Sequence, residues 1–247
     1  MRSPEEVFED IENDRAHRER EIRLIENIAS RTESEAEGNM LRRSLVLLTY
    51  AHFEGFCKFA LLSYASAINA VGLTCSDATT PLVAATLNRV FAALRNANSK
   101  HPDFARELPD DRDLHLLARE RIFIDNYQAM VAQRIELSDQ LVDTKSNLNS
   151  VILKKNMYQL GLDYPVIEAH RGDIDKLLGI RNAIAHGDRL KIPAAKDVED
   201  YTAAAFSVMR FVQHEVYESL RKEAYRKAPP ADGSPPASAA SARADGQ

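Results

Sequence analysis

Leu45-Val46-Leu47-Leu48-Thr49-Tyr50-Ala51-His52-Phe53-Glu54-Gly55-Phe56-Cys57-Lys58-Phe59-Ala60-Leu61-Leu62 is the most apolar stretch of the chain, and it lies inside a longer helical pattern. Leu41, Leu45, Leu48, Phe56, Phe59, Leu62 and Ile68 put apolar side chains on most sides of a helix drawn from about Glu35 to Val71, with Gly72 as its stop. A helix that is greasy nearly all round must be covered nearly all round, so this one predicts the centre of a helical bundle. Tyr50, Glu54 and Lys58 interrupt it every four residues and share one polar stripe. Burying them unpaired is costly, which leaves two options: a Glu54–Lys58 pair at an exposed edge, or a stripe that lines a cleft.

The flanking sequence extends the helical reading in both directions. Ser3-Pro4-Glu5-Glu6 is a helix start, with a capping hydroxyl, Pro in the first turn and acids at the positive end of the dipole. The helix that follows runs to about Ser30. Val7, Ile11, Ile22, Ile25 and Ile28 give it a narrow stripe, and its charged remainder reads as a solvated face. Thr80-Pro81 opens a helix to about Ala97, and His101-Pro102 and Leu108–Asp111 break the pattern. From Leu114 to Val142, helix spacing competes with a short extended piece at Arg121–Asp125. Thr144–Asn147 offers a cap for a helix to about Leu160, closed by Gly161, and Tyr164-Pro165 reads as a loop. A helix over 173–186 stops at Gly187, Asp188–Pro193 connects, and a long helix follows from about Ala195 to Tyr225. Pro229–Gln247 is rich in Pro, Ala, Ser and Gly, a composition that predicts a disordered tail. The expected architecture is all-α: one helical domain over 1–228, made of a charged N-terminal helix (1–33) and a bundle (34–228), followed by the tail 229–247.

Composition narrows the function classes. The chain has 247 residues, 45% of them hydrophobic and 28% charged, which is ordinary globular composition. A net charge of −5 disfavours tight nonspecific binding of nucleic acid but leaves room for a local cluster of cations. Cys57 and Cys75 form neither a disulfide framework nor a metal pattern and read as structural thiols. His17, His52, His101, His115, His170 and His214 are scattered without ligand spacing, so no metal or other cofactor is expected. No apolar run reaches the ~18 residues of a membrane span and the N-terminus lacks signal-peptide order, so the expectation is a soluble, cytoplasmic protein without a membrane partner.

The helix over 173–186 is the richest in chemistry. At 100° per residue, Leu177 and Ile180 fall near Ile184 on a buried side, while Asn182 and His186 share the opposite face with Asp175 and Gly179. Gly179 leaves room for close approach. Arg181 is about 140° from His186. A cation at His186 is favoured by the helix's negative end by roughly 0.3–1 kcal/mol, which suits a group that takes up and releases a proton. The same residues also serve as an ordinary capped helix end, with Arg181 paired to Asp175 or Asp188.

Leu177-Leu178-Gly179-Ile180-Arg181-Asn182-Ala183-Ile184-Ala185-His186-Gly187 resembles the signature of the HEPN superfamily, in which Arg, usually followed by Asn, and a later His close a helix. Arg43-Ser44-Leu45 through Tyr50–Lys58 resembles the long helix of the bacterial branch labelled RiboL-PSP-like or MAE-like. Thr144-Lys145-Ser146-Asn147-Leu148-Asn149 ahead of a helix fits that branch too, and the resemblance spans about residues 35–220. It implies a bundle that dimerises by packing two copies of the 173–187 helix together, gathering two Arg and two His residues in one cleft. It also implies metal-independent RNA cleavage, with Arg181, Asn182 and His186 catalytic and Tyr50, Glu54 and Lys58 bordering the RNA. The implied setting is a toxin or antiphage effector, with an antitoxin or a defence-system partner. A non-catalytic HEPN module that dimerises or binds nucleotides, and a plain helical adaptor, are the alternatives.

Overall fold

A computed structural model describes residues 2–228, so the reading of 229–247 as a tail lies outside the described residues. Among these there are nine α-helices, a 3-10 turn at Asp139–Leu141 and two isolated antiparallel bridges, Thr74 with Arg134 and Ala78 with Arg226. The helices are α1 (Pro4–Ala29), α2 (Glu35–Val71), α3 (Thr80–Thr86), α4 (Asn88–Arg95), α5 (Arg112–Ala132), α6 (Ser150–Leu160), α7 (Pro165–Ala169), α8 (Arg171–Ala185) and α9 (Ala195–Arg221).

α2 is the axis. It packs against α1, α6, α8 and α9, and Val46, Phe53, Phe56, Ala60, Leu61 and Ile68 along it are fully buried. Gly72 closes it at φ +70°, a left-handed conformation that glycine adopts without a Cβ penalty. By length and composition alone this helix could cross a membrane, with a mean hydropathy of 1.4 over its most apolar window. That corrects the reading that no apolar run is long enough. Its apolarity instead reflects neighbours on several sides, half of that window being buried by the rest of the chain.

α1 begins with a capping box: the Ser3 hydroxyl accepts from Glu6 N–H, and the Glu6 carboxylate accepts from Ser3 N–H. Val7, Ile11 and Ile22 are buried, as the stripe predicted, whereas Ile28 is exposed. The charged remainder is not simply solvated. Arg15 is folded between α1 and α9, donating to both Glu12 oxygens, to Glu19 and, at 2.7 Å, to Gln213 Oε1. The narrow stripe misleads because α9 covers the neighbouring charged positions, and ion pairing satisfies them there.

Other boundaries shift. The helix from Thr80 is two helices, broken at Leu87, and the 112–132 segment is a single helix rather than an extended piece. α5 packs on α4, with Phe91 and Phe123 ring centroids 6.2 Å apart. Tyr164-Pro165 is no loop, since Pro165 begins the short α7 with the φ it already carries. α6 is capped by the Asn149 side chain, which accepts from Ile152 N–H, and ends at Gly161 with φ +71°. The last helix ends at Arg221, four residues early, where Glu223 turns to φ +50°.

Candidate functional site at the end of α8

α8 lies across α2 and α9, burying Ile174, Leu177 and Ile184. Its end is well defined. His186 is the last capping residue, Gly187 turns to φ +88°, and Gly187 N–H and Asp188 N–H return to the carbonyls of Ile184 and Ala183 at 3.1 and 3.0 Å. The connector beyond is gripped from α2. Arg43 Nη1 donates to the Asp188 and Lys191 carbonyls, both at 2.7 Å, and Arg42 Nε to that of Pro193 at 3.1 Å. The Asp188 carboxylate accepts from Leu190 and Lys191 N–H. His186 is therefore held by its backbone on both sides while its ring is exposed, and among the described residues nothing hydrogen-bonds that ring.

Arg181 is half-buried. Its guanidinium carbon lies 4.6 Å from the centroid of the Tyr50 ring, a cation–π geometry, and Nη1 donates to Asn182 Oδ1 at 2.7 Å. Neither Asp175 nor Asp188 pairs with it. Asp175 accepts from Ser150 N–H and Oγ–H, both at 3.0 Å, and Asp188 serves the connector. Among the described residues Arg181 forms no ion pair. A partly desolvated cation held by a ring and an amide keeps its full charge available to an incoming anion.

Tyr50 departs from the polar stripe. Its ring is 1% exposed and acts as a shelf beneath Arg181. Burial holds its phenol well above the ordinary value, with the neighbouring Glu54 charge adding to the shift and Arg181 opposing it. The phenol therefore stays protonated at neutral pH. Among the described residues its hydroxyl finds no well-aligned partner, and neither does the buried Oε1 of half-buried Glu54. Lys58 is exposed, and no Glu54–Lys58 pair forms among the described residues. Of the six residues singled out in the sequence, Arg181, Asn182 and Tyr50 form one cluster with Glu54 at its edge. Lys58 and His186 make no contact with it through hydrogen bond, ion pair or ring. Cys57 is sealed, its thiol pushed far up by burial, as a structural thiol should be.

The outer face of α8 is only partly free. Asn182 Nδ2 donates to Asn147 Oδ1 at 3.1 Å, and Asp175 holds the start of α6, so the chain itself covers those positions. Gly179 remains open, with nothing within 4 Å of where a Cβ would stand. Three residues of this arrangement escaped the sequence reading. Arg42 and Arg43 have no local pattern that announces a clamp 145 residues away. Asn147 does not cap α6 as the sequence predicts; Asn149 fills that role, because Lys145 and Ser146 turn the chain left-handed at φ 52° and 54°.

An all-helical bundle, with a central long helix carrying a short one that ends in Arg181-Asn182 and an exposed His186, is the architecture of a HEPN domain. A family profile described as MAE_28990-like HEPN matches residues 7–225, and the chain belongs to that family. No curated protein and no solved structure matches it.

Proposed function

We propose that this chain is a metal-independent endoribonuclease of HEPN type that works as a homodimer through α8 and serves as a toxin or antiphage effector. The observation that carries this reading is Arg181, half-buried on the Tyr50 ring and bonded to Asn182 but paired with no carboxylate among the described residues. Such a group suits a phosphodiester. His186 accepts the proton of a ribose 2′-OH as that oxygen bonds to the adjacent phosphorus. The phosphorus–O5′ bond breaks, and an imidazolium returns a proton to the departing oxygen. The products are a 2′,3′-cyclic phosphate and a 5′-hydroxyl. Arg181 offsets the charge that builds on the non-bridging oxygens, and Asn182 keeps Arg181 in place. The chemistry requires a 2′-OH, so DNA is not cut.

Arg181 and His186 share no contact within one chain, which favours a site shared between two copies, with Arg181 of one meeting His186 of the other. Open space at Gly179 suits close packing of two α8 helices. The net charge of −5 favours one structured RNA, or delivery by an antitoxin or defence-system partner, over indiscriminate cleavage. The second reading, a non-catalytic HEPN subunit that binds nucleotides, draws on the same Arg181, which forms no ion pair among the described residues.

Purified protein incubated with structured RNA in EDTA decides between them. Cleavage that survives chelation and disappears in His186→Ala, with helical content unchanged, is expected. Equal cutting by the alanine variant overturns the mechanism, and nucleotide binding without cleavage selects the second reading. Gly179→Arg, at an exposed position with space in the protomer, should give a folded monomer that no longer cuts RNA. An active monomer removes the shared site.

A further inference from the structure

Resting on the ribonuclease reading for its kinetic test, we infer that Asn147 is a positioning residue: its side chain fixes the Asn182 amide, and through it the Arg181 guanidinium. The contacts run in a line. Arg181 Nη1 donates to Asn182 Oδ1 at 2.7 Å, Asn182 Nδ2 donates to Asn147 Oδ1 at 3.1 Å, and Asn147 Nδ2 points to the Lys145 carbonyl at 3.5 Å. The two ends of this line fix its sense. A guanidinium can only donate and a carbonyl can only accept, so both amides between them have one orientation that leaves every contact a donor facing an acceptor. Flipping either amide sets two donors or two acceptors against each other.

Asn147 also has an anchored backbone. Its N–H donates to the Thr144 carbonyl at 3.0 Å, and Lys145 N–H donates to Asp143 Oδ1 at 2.7 Å. Between them, Lys145 and Ser146 hold φ of 52° and 54°, which non-glycine residues adopt only where the surroundings enforce it. The turn is what aims Asn147 at α8 instead of at the start of α6, where Asn149 does the capping. Asn182 thus has both amide groups engaged by the chain itself. Its contribution to phosphate chemistry passes through Arg181, and Asn147 removes the freedom of that amide to turn away.

A double-mutant cycle tests this. Asn147→Ala should slow the cleavage step at saturating RNA by about tenfold, the effect of one misdirected hydrogen bond, with RNA affinity within about twofold of wild type. Asn182→Ala should be slower still. The double variant should match Asn182→Ala within about twofold, because Asn147 then has nothing to hold. Effects that multiply in the double variant, or an unchanged rate in Asn147→Ala, each overturn the inference. Urea midpoints within error of wild type separate positioning from loss of fold. If wild-type protein cuts no RNA, the ribonuclease reading fails by itself. The line of contacts is then read from the Asn182 side-chain amide in nitrogen-15 NMR spectra. In Asn147→Ala that signal should shift and exchange faster with solvent, and an unmoved signal overturns the inference.

Discussion

Among the partly buried arginines of this molecule, Arg15 and Arg181 are used in opposite ways. Arg15 is closed in by Glu12, Glu19 and Gln213, so that its charge is spent within the fold and fixes α1 against α9. Arg181 lies on an aromatic ring beside a neutral amide, with no carboxylate paired to it among the described residues. The first arrangement offers nothing to a ligand. The second leaves the cation unquenched among the described residues, as the proposed phosphodiester site requires and a purely structural arginine does not.

Exchanging the roles should break the contrast cleanly. Arg181→Ala is expected to reduce RNA cleavage by about 10²–10³ while moving the urea midpoint little, and Arg181→Lys should rescue poorly because an ammonium lacks the planar fork. Arg15→Ala should do the reverse, with about 2 kcal/mol of stability lost in urea unfolding and the cleavage rate of the folded protein unchanged. That figure is below the value for a fully buried pair because Glu12 is partly exposed.

The Arg15 cluster also has a pH signature. Burial alone would raise the Glu12 carboxyl, but hydrogen bonds from Arg15 and Gln213 and the charge of Arg15 outweigh it and hold the group below the ordinary carboxylate value. A folded pKa lowered in this way contributes stability that is complete above the unfolded value and is lost as pH falls through the folded one. The penalty of Arg15→Ala should therefore be greatest at neutral pH and shrink on acidification below about pH 4, as measured by urea unfolding across that range. The smallest effect belongs to Tyr50→Phe. It keeps the shelf and removes a hydroxyl without a well-aligned partner, so stability should change by less than about 1 kcal/mol and cleavage by less than about threefold.

The long elements and the helix that carries the site were readable because their signals are local. The apolar periodicity of α2, the cap at Ser3, the glycines at 72, 161 and 187 and the buried stripe of α8 need no knowledge of distant neighbours. What was not readable depends on partners far along the chain. The Tyr50–Glu54–Lys58 stripe dissolved because Arg181 covers Tyr50, leaving only its upper two residues near the site. The charged face of α1 proved half-buried because α9 supplies Gln213. The aim of Asn147 comes from two left-handed residues that are not glycines, a turn that no local residue pattern announces.

The shelf under Arg181 and the clamps that grip the connector after His186 all belong to α2, the helix that also supplies the middle of the core. That sharing limits how such a chain can diverge. Substitutions in α2 touch the scaffold and the proposed site together, and most will fail as folds before they appear as altered activities. Changes at the exposed Gly179 and His186 are freer of that linkage, so descendants that switch off or retune the proposed reaction while remaining intact proteins should bear their differences there.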